Sequence, residues 1–181
     1  MIIEQTNLKG CFVIRPNVFE DERGWFFESF NAKLFNKATG ISANFLQDNE
    51  SKSSKGVLRG LHFQTGHYSQ AKLVRVVKGS VLDVCVDIRE DSKTFGEYYS
   101  LVLDDKEHKQ LYIPRGFAHG FLVLEDDTIF SYKCDNYYHK PSESGIVFND
   151  RNLNIDWGVS EDRAILSEKD KLLPTFDSLF K

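Results

Sequence analysis

Short runs of β-branched and aromatic residues, each cut off by a turn signal, recur along almost the whole of this 181-residue chain. GVLRGLHFQ, KLVRVV, SVLDVCVDI, YYSLVL, QLYIP, GFLVL and TIFSYKC each have the length and composition of a strand. Lys78-Gly79 separates two of them and predicts a hairpin, and Asp104-Asp105, Asp126-Asp127 and Asp135-Asn136 punctuate the later ones. No helix-length connection of the kind a parallel sheet requires lies between them. The pattern therefore predicts an all-β antiparallel sandwich or barrel. Helices are few and short. One is expected over about residues 31–39, with Asn31 as N-cap and Gly40 just past its end, and another begins at Ser167 in LSEKDKLL. No internal repeat, low-complexity stretch or linker interrupts the pattern, so residues 1–181 are expected to form a single domain.

Composition matters mainly for what it excludes. With 41% hydrophobic and 28% charged residues the chain can build a core and is not expected to be disordered. Its formal net charge of −4 gives no reason to expect nucleic acid or an anionic membrane as partner, so an anionic ligand needs a few local Lys and Arg to hold it. The N-terminal segment lacks a basic region followed by a long apolar stretch, and the longest apolar runs fall far short of the ~20 residues of a membrane span. A cytoplasmic protein is expected. Cys11, Cys85 and Cys134 are far apart and odd in number, and are expected as small buried hydrophobes rather than disulfide partners or metal ligands.

A barrel normally binds small molecules inside its mouth, so polar residues at inward strand positions are the ones to weigh. In KGVLRGLHFQ, period-two alternation puts Leu61 and Phe63 on one face and His62 and Gln64 on the other. Lys72 shares a face with Val74 and Val76, which is costly for an ammonium without a partner or ligand, and Asp83 in the next run is a possible counter-charge. Its head could equally snorkel to water from a strand end. Pro114, Gly116 and His119 stand at P-x-G-x-x-H spacing where a turn enters an apolar strand. Phe130, Tyr132 and Cys134 share one face of TIFSYKC.

Together DERGWFFESF, FLQDNESKSSKGVLRGLHFQ, KLVRVVKGSVLDVCVDIR, IPRGFAHGFLVL, YKCDNYY and IDWG…LSEKD resemble, in order and spacing, the dTDP-4-dehydrorhamnose 3,5-epimerase family, from about Leu8 to Asp170. The resemblance implies a cupin-like β jelly roll with a few short helices. PRGFAH resembles the second cupin motif, whereas the strand of the first motif reads His62-Phe63-Gln64 instead of an H-x-H metal pair, and His67 is off that spacing. Catalysis without metal or other cofactor is expected. The implied substrate is a dTDP-linked 4-keto-6-deoxy sugar, whose hydrogens beside the C4 ketone are acidic because the carbanion delocalises into an enolate.

In that chemistry His62 resembles the base, an imidazole titrating near neutral pH. Asp170 resembles the carboxylate that orients it, although by local pattern alone it is a solvated helix residue. Tyr132 resembles the proton donor on the opposite face, Lys72 the cation that stabilises the enolate oxygen, and His119 a group bonding the substrate near the same oxygen. Arg23, Arg59 and Lys169 match positions that contact the substrate, and guanidinium suits phosphate oxygens. Tyr138 matches the aromatic that stacks on thymine. Gln47, Asn49, Glu28 and Glu143 match further polar contacts. Bland alternatives stand beside these: Arg23 as a turn cation, Glu28 and Glu143 as solvated carboxylates. The resemblance also implies a homodimer, with Arg23 reaching the partner's site.

Strict alternation turns Arg59 and His62 to opposite faces. Either Gly60 hosts a bulge or bend that reunites them, or Arg59 serves a site shared with a neighbouring subunit. Three rival functions stand behind the epimerase reading. Epimerisation at one carbon only is served by the same catalytic residues. Sugar binding without turnover would not require base, orienting carboxylate and acid together. Last comes a metal-dependent cupin oxygenase, which lacks its metal pair here.

Overall fold

Turn chemistry divides the chain into short strands joined by tight connections, as the computed structural model, which describes residues 1–180, shows. In chain order come β1 (Ile2–Gln5), β2 (Phe12–Arg15), β3 (Phe19–Asp21), β4 (Gly24–Phe26), α1 (Ala32–Thr39), β5 (Gln47–Ser53), β6 (Leu58–Gln64) and β7 (Lys72–Lys78). Then follow β8 (Ser80–Asp87), β9 (Tyr98–Asp104), β10 (Gln110–Ile113), β11 (Phe117–Val123), β12 (Thr128–Cys134), β13 (Glu143–Gly145), α2 (Glu168–Lys171) and α3 (Phe176–Phe180). The strands form a six-stranded sheet, β1-β2-β10-β7-β12-β5, and a five-stranded sheet, β13-β6-β11-β8-β9, with β3 and β4 paired apart from both. All these ladders are antiparallel, giving the expected cupin-like jelly roll.

Period-two alternation sorts the side chains into layers. Val74, Val76 and Phe130 of the larger sheet meet Val81, Cys85, Phe117 and Phe121 of the smaller one in the core between them. The outer face of the smaller sheet, with Leu58, Leu61, Val84 and Leu122, is covered by Ile146, Phe148, Leu153, Trp157 and Phe176 of the C-terminal third. The larger sheet buries Leu73 and Tyr112 against Phe35 of α1. The smaller sheet is thus apolar on both faces, which explains the nearly continuous burial along β8 and β11. Cys11, Cys85 and Cys134 are all buried and unbridged.

Both expected helices form where their caps place them. The Asn31 side chain accepts the Leu34 N–H, and Gly40 closes α1 in the left-handed region. Ser167 caps α2 by accepting the Asp170 N–H at 3.1 Å. The expected hairpin at Lys78-Gly79 does not form. β7 lies in the larger sheet and β8 in the smaller one, so this tight link carries the chain from one sheet to the other. Gly79 has φ +84°, its N–H is held by Asp105 Oδ2 at 2.8 Å, and a Cβ there would collide with Thr128. The turn signal was sound; its two strands simply find other partners.

Candidate active site

Between the sheets, the core gives way to a cavity of about 410 Å³ that adjoins a second lobe of about 250 Å³. His62, Lys72 and Tyr132 line both lobes. His62 stands on β6 of the smaller sheet, while Lys72 on β7 and Tyr132 on β12 belong to the larger one. The imidazole and the phenol therefore enter the cavity from facing sheets. Arg59, His119, Lys169 and Asp170 complete the polar lining of the first lobe. Gln47, Asn49, Tyr138 and Glu143 line the second.

Arg59 and His62 share a lobe because β6 is irregular at Gly60. Across to β11, His62 pairs with His119 and Arg59 with Phe121, so three steps on one strand match two on the other. Of the two alternatives that the alternation left open, this is the bulge at Gly60. Gly60 has φ +121°, and a Cβ on it would lie 2.5 Å from Gly120 Cα and 2.8 Å from the His119 carbonyl. Only glycine fits there. The Arg59 guanidinium is steadied by Ser53 Oγ, to which Nη2 donates at 3.1 Å.

His62 Nε2 meets Asp170 Oδ1 at 2.6 Å. That leaves Nδ1 as the ring nitrogen without a partner among the described residues. Asp170 is 3% exposed, where the local pattern alone suggests a solvated helix residue and the family resemblance a carboxylate on His62, because α2 turns that face against β6. Burial pushes its carboxyl up, but the His62 contact, the Ser167 bond and the Gly60 N–H outweigh this and hold it below the ordinary carboxylate value. Asp83 corrects one expectation, its pairing with Lys72. Its Oδ2 lies 2.9 Å from His119 Nε2, so its direct partner is an imidazole, and Lys72 forms no ion pair among the described residues. Burial pushes the Lys72 ammonium down, against the pull of Cys134, Asp83 and Glu143. Its Nζ lies 5.9 Å from the centre of the Tyr132 ring. Burial raises the Tyr132 phenol, which therefore keeps its proton at neutral pH.

At the second lobe Tyr138 donates its hydroxyl to Glu143 Oε2 at 2.9 Å, and Lys169 Nζ contacts the same carboxyl oxygen. Burial raises the Glu143 carboxyl, and these two partners bring it below its usual value. Glu143 is therefore no solvated carboxylate. Gln47 bridges this end, giving its Nε2 proton to Asn49 Oδ1 at 3.0 Å and accepting the Tyr138 N–H at 2.9 Å.

Two expected residues lie outside the cavity of their own chain. Arg23 sits on the β3–β4 hairpin and pairs with Asp21, as a turn cation would. Glu28 is exposed and accepts from Asn31 Nδ2. Ser51, Ser53 and Gln70 line or support the lobes and were not anticipated; inward alternation along β5 flags the two serines once that strand is known. As for a metal, Gln64 accepts the His139 N–H at 3.0 Å, each cavity imidazole is engaged by one carboxyl, and no three His, Cys, Asp or Glu side chains among the described residues converge as ligands. The donor set does not fit a cupin metal centre.

The chain is similar to known proteins along nearly its whole length. Residues 5–178 match the family described as dTDP-4-dehydrorhamnose 3,5-epimerase. The enzyme of that name from Escherichia coli K12 is 49% identical over 181 residues, spanning 100% of this chain and 97% of its own. The crystal structure of dTDP-4-dehydrorhamnose 3,5-epimerase from Elizabethkingia anophelis NUHP1 superposes with a TM-score of 0.96 at 53% identity, covering 100% of this chain and 99% of that one. A Legionella pneumophila dTDP-6-deoxy-D-glucose-3,5-epimerase, solved in complex with dTDP-4-keto-L-rhamnose, gives 0.93 at 45% identity over 97% of this chain and 93% of that one. With likeness running end to end in both sequence and fold, this chain belongs to the dTDP-4-dehydrorhamnose 3,5-epimerase family.

Proposed function

We propose that this chain inverts C3 and C5 of dTDP-4-dehydro-6-deoxy-D-glucose to give dTDP-4-dehydro-L-rhamnose, acting as one catalytic unit from end to end. The observation that carries the mechanism is the entry of His62 and Tyr132 into one cavity from facing sheets, with Lys72 beside the phenol. Inversion needs a base on one face of the carbon and an acid on the other. His62 Nδ1 takes the proton alpha to the ketone, and the C–H electron pair moves into an enolate. Asp170 fixes the ring through Nε2 and stabilises the imidazolium so formed. Lys72 offsets the negative charge that develops on the C4 oxygen. Tyr132, protonated at neutral pH, delivers a proton to the opposite face, and solvent resets both groups. Every step is a proton transfer and the sum is an isomerisation, so no electron carrier is called for.

In this mechanism Arg59, Lys169 and the second lobe hold the nucleotide: cations for the diphosphate, and the half-exposed Tyr138 ring for stacking on thymine. His119 orients the sugar near the reacting oxygen. The exposed β3–β4 hairpin, with Phe19, Trp25 and Phe26 uncovered around Arg23, supports a homodimer in which Arg23 and Glu28 act at the partner's site. Incubation in deuterated water tests the reaction: label at both C3 and C5 is expected, and label at one carbon alone refutes the double inversion. Sedimentation as a monomer at micromolar concentration would refute the dimer.

A further inference from the structure

β5 presents Gln47, Asn49, Ser51 and Ser53 to the interior, a ladder of four polar side chains on one face. Three have partners: Gln47 bonds Asn49, Asn49 Nδ2 reaches Cys134 Sγ at 3.7 Å, and Ser53 Oγ holds Arg59. Ser51 differs. Its hydroxyl is shielded from solvent and has no hydrogen-bond partner, and the residue opposite it in register is Phe130. A buried hydroxyl left unpaired is disfavoured, and native proteins rarely keep one without a purpose. Ser51 also borders the lobe that holds His62, Lys72, Tyr132 and Asp170, whereas Gln47 and Asn49 line the other lobe.

From this we infer that Ser51 is a specificity residue that hydrogen-bonds a ring hydroxyl of the bound sugar. No hydrogen bond fixes its χ1, so Oγ is free to turn between staggered wells beside the cavity that the residue lines. The substrate proposed above carries hydroxyls at C2 and C3, and the inference rests on that proposal. A sugar lacking the matched hydroxyl leaves Ser51 unpaired and binds more weakly, which discriminates between sugars without touching the proton-transfer groups.

Calorimetric titration with dTDP-6-deoxy-D-glucose, which has no ketone and does not react, and with its 2-deoxy and 3-deoxy counterparts tests this. Ser51→Ala is expected to weaken binding of the parent sugar about threefold to tenfold, the range for one uncharged hydrogen bond. On one of the two deoxy sugars the variant and the wild type are expected to bind alike. The variant's Tm is expected to be unchanged or higher, since no internal bond is lost. Equal affinity of both proteins for the parent sugar, the same loss on all three sugars, or a lowered Tm each overturns the inference. Failure of the wild type to bind any of the three overturns the nucleotide-sugar proposal itself and this inference with it. An active epimerase whose Ser51→Ala variant binds like wild type overturns the inference alone.

Discussion

Two histidine–aspartate pairs stand side by side on the smaller sheet, with His62 and His119 directly opposite each other across β6 and β11. They share chemistry but not surroundings. The His62 side chain is 30% exposed and takes its carboxyl from α2 at the cavity wall, whereas His119 is 6% exposed and takes Asp83 from the adjacent strand β8, deep in the core. Burial holds the His119 imidazole below its ordinary value, so it stays neutral where a base must accept and release protons. The lesson is that a His–Asp contact by itself assigns no role. Both imidazoles line the same lobe, but only the first pair is open enough to exchange protons with solvent. In the proposed mechanism that suits it to proton transfer and leaves the second to orientation.

The sharpest way to break this comparison is to disable each pair in turn. Asp170→Asn, which keeps shape but removes the charge beside His62, is expected to lower kcat by up to about 10⁴, and His62→Ala by about 10²–10⁴. Each change also leaves part of the buried pair unpartnered, at a cost of about 1–3 kcal/mol in stability, so deuterium exchange into the keto sugar is measured on protein shown to be folded. If His119→Ala lost as much exchange as His62→Ala, the division of roles would fail.

Next in size is Lys72→Met. Loss of the cation at the enolate oxygen should lower kcat about 10²–10³-fold. The same change removes a desolvated ammonium, so Tm is expected to rise by about 2–4 °C in differential scanning calorimetry. A fall in both activity and Tm would show that Lys72 is a structural cation.

Asp83→Ala should act mainly on folding. It strands His119 Nε2 in the core at a cost of about 1–3 kcal/mol, read from urea unfolding, with a smaller effect on kcat than Asp170→Asn. The smallest effect is on pH dependence. An unfolded chain binds a proton at His119 near 6.5, while the folded chain resists it. Stability from this group is therefore full above that value and declines as pH falls toward the depressed folded value, by at most about 1.4 kcal/mol per unit. Unfolding curves between pH 7.5 and 5.5 should show a shallower decline in His119→Gln than in wild type.

How much of the site was legible depends on where its residues sit. The inward set on β6, β7 and β12 followed from alternation, because those strands are rich in Val, Leu, Ile and Phe and announce their period. β5 did not announce itself. QDNESKS has no β-branched or aromatic residue, and it is a strand because seven of its residues pair with β12. Its inward serines, including the unpaired Ser51, stayed hidden for that reason. Asp170 was accessible only through family likeness, since a carboxylate in SEKDK has the local pattern of a surface helix.

By itself the sequence determined the strand period, the helix starts at Asn31 and Ser167, the conflict between Arg59 and His62 that Gly60 could resolve, and the membership of a family. These depend on backbone conformation and near neighbours, which local residue order controls. Only the tertiary structure decided which sheet each strand joins across Lys78-Gly79, and that Asp83 serves His119 rather than Lys72. It also brought Asp170 to His62 across 108 positions of chain. Those choices are made by long-range burial and pairing, in which a side chain's partner is whatever the packed layers bring within reach, and no local pattern encodes that.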